Sequence, residues 1–350
     1  MAVIPSALLG RFRGLVVPEL RAAVAALEPR LALMSGYAFG WCDADGAPAD
    51  GSGGKMLRSA LALLSAELVG TPAEEALPGA VAVELLHVFS LIHDDIMDRD
   101  EQRRHRPTVW KAYGTGPAIL AGDALFALAT RTVAHAPRGG QAASHLLADT
   151  GLRLCQGQAQ DLAFEQRPWT GPDMVTSAEY KAMAADKTGS LISCALAIGA
   201  LLASAPPLAA ETLAKAGHEF GLAFQIIDDV LAGTGDPALT GKPVLNDLRT
   251  RKKSYPVLAA LASPNQAGTR LRTVMAADDR LRDEQLAATS DEDLARIGDL
   301  VAEAGGYQQA TREARRRVDN GLTALTRAHF DQAAVEDLST LTAFLLNRSA

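Results

Sequence analysis

Apolar residues recur at helical spacing through nearly the whole chain, and no stretch sustains the strict apolar-polar alternation of a half-buried strand. A first helical pattern runs from about Ser6 to Leu33, and a loop rich in Gly, Asp and Pro follows from Cys42 to Gly54. Gly and Pro then punctuate the chain at Gly70-Thr71-Pro72, Gly114 to Pro117, Pro137 to Gly140, Pro168 to Pro172, Pro206-Pro207, Gly233 to Pro243 and Pro264. The intervals predict helices of about 15 to 30 residues. Asp291 to Arg327 reads as two amphipathic helices broken at Gly305-Gly306.

Composition agrees with that pattern. Ala and Leu, which favour helix, dominate the apolar residues, whereas β-branched residues are thin and aromatics make up only 5%. The predicted fold class is all-α. With 350 residues, 48% of them hydrophobic, the chain can bury a large core, and no linker forces a split, so residues 1–350 read as one domain. The uncharged run from Leu191 to Ala210 is long enough to span a bilayer, but it is mostly Ala and ends at Pro206-Pro207. A helix buried in a bundle is the expected reading, with no transmembrane segment.

Charge narrows the function. Thirty-four basic residues against 41 acidic give a net charge of -7, which excludes nucleic acid as a non-specific partner. An anionic substrate then needs local cations or a metal. Cys42, Cys155 and Cys194 have no ligand spacing, and the start of the chain lacks the features of a signal peptide, so a cytoplasmic protein with reduced thiols is expected.

Two acidic clusters lie in strongly apolar helical stretches, Asp94-Asp95-Ile96-Met97-Asp98 and Asp228-Asp229. Buried carboxylates are costly unless cations or water accompany them. At about 100° per residue, Glu84, His87, Leu91, Asp94, Asp95 and Asp98 form one stripe, with Asp94 and Asp98 stacked one turn apart. Such a pair suits Mg²⁺, which keeps several waters and is bound through few carboxylates plus substrate phosphates. Gln225, Asp228 and Asp229 likewise share a face. Cations stand close by in sequence: Arg103, Arg104 and Arg106 follow the first cluster, and Lys55 and Arg58 open a helix after Gly53-Gly54. Arg matches phosphate oxygens in pairs, and a helix start attracts anions. Each piece alone also fits a solvated turn, a cap or a surface charge.

Together, GGKMLR, ELLHVFSLIHDDIMD, RRHRPT, GQAQD, DKTG, FQIIDD and GDPALTGKP with DLRTRKKSYPV resemble the trans-isoprenyl diphosphate synthase family, closest in pattern to bacterial geranylgeranyl diphosphate synthases. The resemblance covers most of the chain and is weakest toward its two ends. It implies a single large helical bundle around a deep central cavity, the isoprenoid synthase fold, in a homodimer, with the two acidic helices facing each other across the mouth. It further implies that Asp94 and Asp98 hold two Mg²⁺ ions and Asp228 a third, with Asp95 and Asp229 completing the metal set through waters or outer contacts. Arg103, Lys187, Thr188, Gln225 and Lys242 would contact the allylic diphosphate. Lys55, Arg58, His87 and Arg104 would grip isopentenyl diphosphate, and Asp94, Asp98, Asp228, Lys187 and Arg103 would carry the catalysis. The implied reaction transfers a dimethylallyl, geranyl or farnesyl group to isopentenyl diphosphate.

The resemblance has one departure. Where the family's second motif usually ends in a fifth-position Asp, this chain has Ala232, which makes Asp236 a candidate outer partner. Chain length is read at Phe89 and Ser90: Ser90 lies about 40° from Asp94 and one turn deeper, and Phe89 about 140° away. In the family an aromatic at the Phe89 place accompanies geranylgeranyl diphosphate as product, with farnesyl diphosphate the runner-up. A class I terpene cyclase and a non-catalytic partner subunit are the alternatives. A cyclase does not need the second diphosphate grip, and such subunits generally lose the acidic motifs.

Overall fold

The computed structural model describes residues 6–49, 54, 56–235, 245–283 and 290–346. The Ala- and Leu-rich segments fold as helices almost throughout, as their spacing predicts. In chain order they are α1 (Ser6–Ala25), α2 (Pro29–Ala38), α3 (Leu57–Leu68), α4 (Leu77–Met97), α5 (Val109–Tyr113), α6 (Thr115–Ala134), α7 (Gly140–Glu165), α8 (Ser177–Ala184), α9 (Ser190–Leu202) and α10 (Pro207–Thr234). Later helices span Asn246–Arg249, Tyr255–Leu261, Gln266–Asp283, Asp291–Glu303, Gly306–Thr326 and Gln332–Leu346. The break expected at Gly305-Gly306 falls between the helices that end at Glu303 and begin at Gly306.

The chain forms two compact units, each built from separate segments. The first comprises Met1–Leu154, Ser190–His218 and Gly321–Phe344, and the second Cys155–Gly189, Glu219–Asn320 and Leu345–Ala350. In the first, α3 and α4 pack against each other, α3 against α9 and α4 against α6. Leu61, Leu63, Leu64, Leu85 and Leu86 are buried there, because their helices are apolar on nearly every face. The second has its own core, in which Trp169, Val257, Leu261, Leu271, Met275, Ile297 and Val301 meet.

Three stretches among the described residues are long and apolar enough to cross a membrane: Ala73–Met97, Thr115–Ala134 and Ser177–Leu202. The run singled out by its lack of charge ends as a helix at Leu202, and nearly all of α9 is buried by protein.

Short elements interrupt the α-helices, among them a 3-10 turn at Ala73–Ala76, a hairpin and a π turn. Gln102–Arg103 and Arg106–Pro107 form a two-stranded antiparallel hairpin. Its turn residues, Arg104 and His105, have φ of 53° and 61°, the positive values that a type I′ turn demands at both central positions. Between α8 and α9, Ala185–Gly189 winds as a π turn, a feature that recurs at functional sites.

Candidate active site

In the first unit, the apolar run of α4 carries the first acidic cluster to the helix end. Asp94 lies in the last turn and Asp98 caps it, its backbone N–H bonding the Asp94 carbonyl at 2.8 Å. Both residues are half-buried and bring hard carboxylate oxygens one turn apart. Among the described residues no three His, Cys, Asp or Glu side chains gather into a closed metal cage. An open carboxylate pair fits Mg²⁺, whose remaining ligands are water and phosphate oxygens.

Asp95 faces inward instead, only 3% exposed. Arg103 Nε donates to its two oxygens at 2.9 and 3.1 Å, and Arg103 Nη2 reaches Oδ1 at 2.7 Å. The hairpin makes this fork possible by turning the chain back immediately after α4. Its tip holds Arg104 in a left-handed backbone conformation that costs a side-chain-bearing residue about 1 to 2 kcal/mol. A Cβ on Gly54 would lie 2.9 Å from Arg104 Nη2, so the GGKMLR and RRHRPT segments meet.

His87 completes this basic group. Arg58 Nη1 stands 3.3 Å from His87 Nε2, and because guanidinium only donates, that nitrogen must accept. Burial, followed by the charges of Arg58, Arg104 and Arg103, pushes the His87 pKa well below the ordinary imidazole range. The ring is therefore neutral. Glu84 is buried beneath the same cations and accepts from Ser59 Oγ at 3.1 Å. Burial raises its pKa against the pull of Arg58 and Ser59. Lys55 and Lys242, along with Asp236, lie outside the described residues.

The second unit gathers a separate polar group around the π turn. Lys187 Nζ bonds Asp161 Oδ2 at 2.5 Å, and Lys252 approaches the same oxygen at 3.7 Å. Burial works to raise Asp161, yet Lys187 and Lys252 hold its carboxyl below the usual range. Thr188 Oγ1 donates to Gln225 Oε1 at 2.6 Å, and Gln225 Nε2 donates to Asp229 Oδ1 at 2.8 Å. Asp229 Oδ2 accepts from the Tyr180 hydroxyl at 2.6 Å and from the Tyr255 backbone N–H at 2.8 Å. Burial, then the neighbouring Asp247 carboxylate, drives Asp229 up to about 7 against those three donors. Asp228, one residue earlier on α10, is half-buried.

Asp229, Ala232, Leu245, Asp247 and Tyr307 bound a small cavity. Asp247 and Ala232 thus line the same cavity. Beyond it, Lys253 is buried with its ammonium 3.7 Å from the Trp169 ring centroid, a cation–π contact that anchors the segment carrying Lys252.

Asp161 and Lys252 lie in the GQAQD and DLRTRKKSYPV segments that carry the resemblance, although the sequence assigns them no partner. Tyr180 does not stand out and reads as an ordinary core aromatic. No local pattern marks Tyr180.

Comparison with known proteins gives this arrangement its class. The sequence pattern described as Polyprenyl synthetase matches residues 49–291. A (2E,6E)-farnesyl diphosphate synthase of Mycobacterium tuberculosis (strain ATCC 25618 / H37Rv) is 40% identical over 345 residues, covering 98% of this chain and 93% of that protein. A geranylgeranyl diphosphate synthase of the same organism is 43% identical over 324 residues, covering 92% and 89%. Among solved structures, a polyprenyl synthetase from Streptomyces coelicolor A3(2) superposes with a TM-score of 0.88 at 45% identity, covering 98% of this chain and 99% of that one. The fold is the all-α isoprenoid synthase fold, and the class is that of prenyl-transferring enzymes. The chain belongs to the polyprenyl synthetase family. It is a prenyltransferase of isoprenoid biosynthesis, within the short-chain isoprenyl diphosphate synthases, whose substrates are isopentenyl and allylic diphosphates.

Proposed function

We propose that the protein condenses isopentenyl diphosphate with an allylic diphosphate in a Mg²⁺-dependent reaction whose main product is geranylgeranyl diphosphate. The observation that carries the product assignment is Phe89. It lies on α4 five residues before Asp94, is 9% exposed, and packs its ring against Phe126 with centroids 5.3 Å apart. An aromatic residue held that firmly is suited to act as a floor that stops chain growth. Ser90, whose hydroxyl is taken up by the His87 carbonyl at 2.8 Å, adds little bulk beside it.

In this reading Asp94, Asp98 and Asp228 hold the metal ions, three per active site. Bound Mg²⁺ supplies charge that neutralises the departing diphosphate. Arg103, fixed in direction by Asp95, and Lys187, held by Asp161, add fixed positive charge to the same leaving group, with Lys242 as a further contact. Arg58 and Arg104 bind isopentenyl diphosphate together with Lys55, and neutral His87 adds a hydrogen bond. As the allylic carbon–oxygen bond breaks, the isopentenyl double bond attacks the cation, and a diphosphate oxygen takes the proton that is lost. Apolar helices keep water from the cation.

The reading takes residues 1–350 as one catalytic domain, working as a homodimer in the cytoplasm. The burial of α9 supports its reading as a helix of the bundle and not as a membrane span. Farnesyl diphosphate is the second product reading, favoured by the 40% identity to the farnesyl diphosphate synthase. Chromatography of dephosphorylated products from purified protein distinguishes the two.

A further inference from the structure

We infer that Arg251 is a positioning residue: by pairing with Asp278 and Asp279 it fixes the segment from which Lys252 reaches the Asp161–Lys187 pair. The inference rests on the prenyl transfer proposed above, in which Lys187 faces the departing diphosphate, and concerns how that cation is held.

The backbone at Arg251 takes a conformation that Gly usually supplies. Its N–H bonds the Leu248 carbonyl at 3.1 Å, and the Lys252 N–H bonds the Asp247 carbonyl at 2.7 Å, the two bonds of a Schellman ending to the helix Asn246–Arg249. Arg251 occupies the left-handed place of that motif, with φ of 59°. A side chain stays at such a place, against its local preference, only where the surrounding structure holds it.

The surroundings of Arg251 do hold it. Arg251 Nη1 pairs with Asp278, and Nη2 reaches Asp279 Oδ1 at 2.9 Å. Asp279 also accepts from the backbone N–H groups of Trp169 at 3.0 Å and Thr170 at 3.2 Å, so the guanidinium is joined through the helix Gln266–Asp283 to the loop between α7 and α8. Lys253 Nζ stands over the Trp169 ring and donates to the Arg251 carbonyl at 3.3 Å. Lys252 lies between these two anchored residues. Its ammonium comes to 3.7 Å from the Asp161 oxygen that takes Lys187 at 2.5 Å. All of these residues belong to the second unit.

The charges give the placement its purpose. Lys187 and Asp161 alone would cancel, and a cancelled pair does little for a departing diphosphate. With Lys252 beside them the trio carries one more positive charge than negative. Arg251 keeps Lys252 there.

Arg251→Gly tests this with little disturbance of the backbone, since Gly is favoured at that place of the motif. The first readout is amide hydrogen exchange in the full-length protein. The variant is expected to exchange about tenfold faster than wild type over residues 250–255, with the helices of the first unit unchanged. Exchange at the wild-type rate over that segment overturns the inference. The second readout is a double-mutant cycle with Lys252→Met. Each single variant is expected to lower kcat about tenfold with little change in KM for the allylic diphosphate, and Arg251→Gly in the Lys252→Met background to lower it by less than about twofold more. Losses that multiply to about a hundredfold, or a Lys252→Met variant with wild-type kcat, overturn the inference.

Should Arg251→Gly fail to fold, Asp278→Asn removes one arm of the clamp while keeping its shape, and it enters the same cycle under the same criteria. Wild-type protein that transfers no prenyl group defeats the proposed function itself. The exchange measurement then still decides whether Arg251 holds the segment.

Discussion

A Cβ atom on Gly157 would lie 2.2 Å from the backbone nitrogen of Lys187 and 2.6 Å from its Cα. The π turn thus runs against bare backbone on α7, and this contact sets where the Lys187 ammonium meets Asp161. Gly157→Ala must push the turn away. We expect a loss of about 1 to 3 kcal/mol in stability from overpacking, with reduced turnover. Thermal unfolding and steady-state kinetics on the same preparation check both. A variant with wild-type stability and turnover contradicts the contact.

Arg103 grips Asp95 with Nε and Nη2 together, a geometry that an ammonium cannot copy. Arg103→Lys should therefore lower kcat/KM for the allylic diphosphate by about tenfold or more despite keeping the charge. Kinetics that Arg103→Lys leaves at the wild-type level would mean that only the charge matters.

Phe89 touches Phe126 and, at 4.8 Å between ring centroids, His93. Phe89→Ala removes the floor and should shift the product toward longer chains. Chromatography of dephosphorylated products reads the shift directly. A product distribution identical to wild type removes Phe89 from the account of chain length.

Glu179 completes a capping box at the start of α8, accepting from Thr176 and from Arg167 Nη1 at 2.6 Å. The Arg167 bond, followed by those from Thr176, holds its carboxyl down to about 2 from an ordinary 4.5. A carboxyl depressed in the folded state contributes stability above the ordinary value and loses it as pH falls through the depressed one. Glu179→Gln should thus melt earlier than wild type at neutral pH, with the difference closing between pH 4.5 and about 2. A difference that does not change with pH would assign the effect to shape alone.

Much of this architecture is legible in the sequence because it depends on period and punctuation. The helical spacing and the Gly-Pro breaks anticipate the long helices, and stacking at i, i+4 anticipates the Asp94–Asp98 pair. The hairpin escapes such a reading, since each strand is two residues long and its turn uses Arg104 and His105 where Gly or Asn would signal it. The π turn is also hidden, because a shift of one residue in hydrogen-bond register leaves the pattern of apolar positions almost unchanged. Asp229 shows a deeper reason. Its neighbours in sequence place it beside Asp228 on a common helix face, but Tyr180 and the Tyr255 backbone engage it from segments that are distant along the chain. Local spacing groups the two carboxylates, and tertiary contacts separate their surroundings.

The central claim is Mg²⁺-dependent prenyl transfer to isopentenyl diphosphate. Purified protein incubated with labelled isopentenyl diphosphate, Mg²⁺ and dimethylallyl, geranyl or farnesyl diphosphate in turn tests it most directly. The account predicts elongation to geranylgeranyl diphosphate that stops when the metal is chelated. A cyclic hydrocarbon formed from the allylic diphosphate alone, no labelled prenyl product, or undiminished turnover after exhaustive chelation would contradict it.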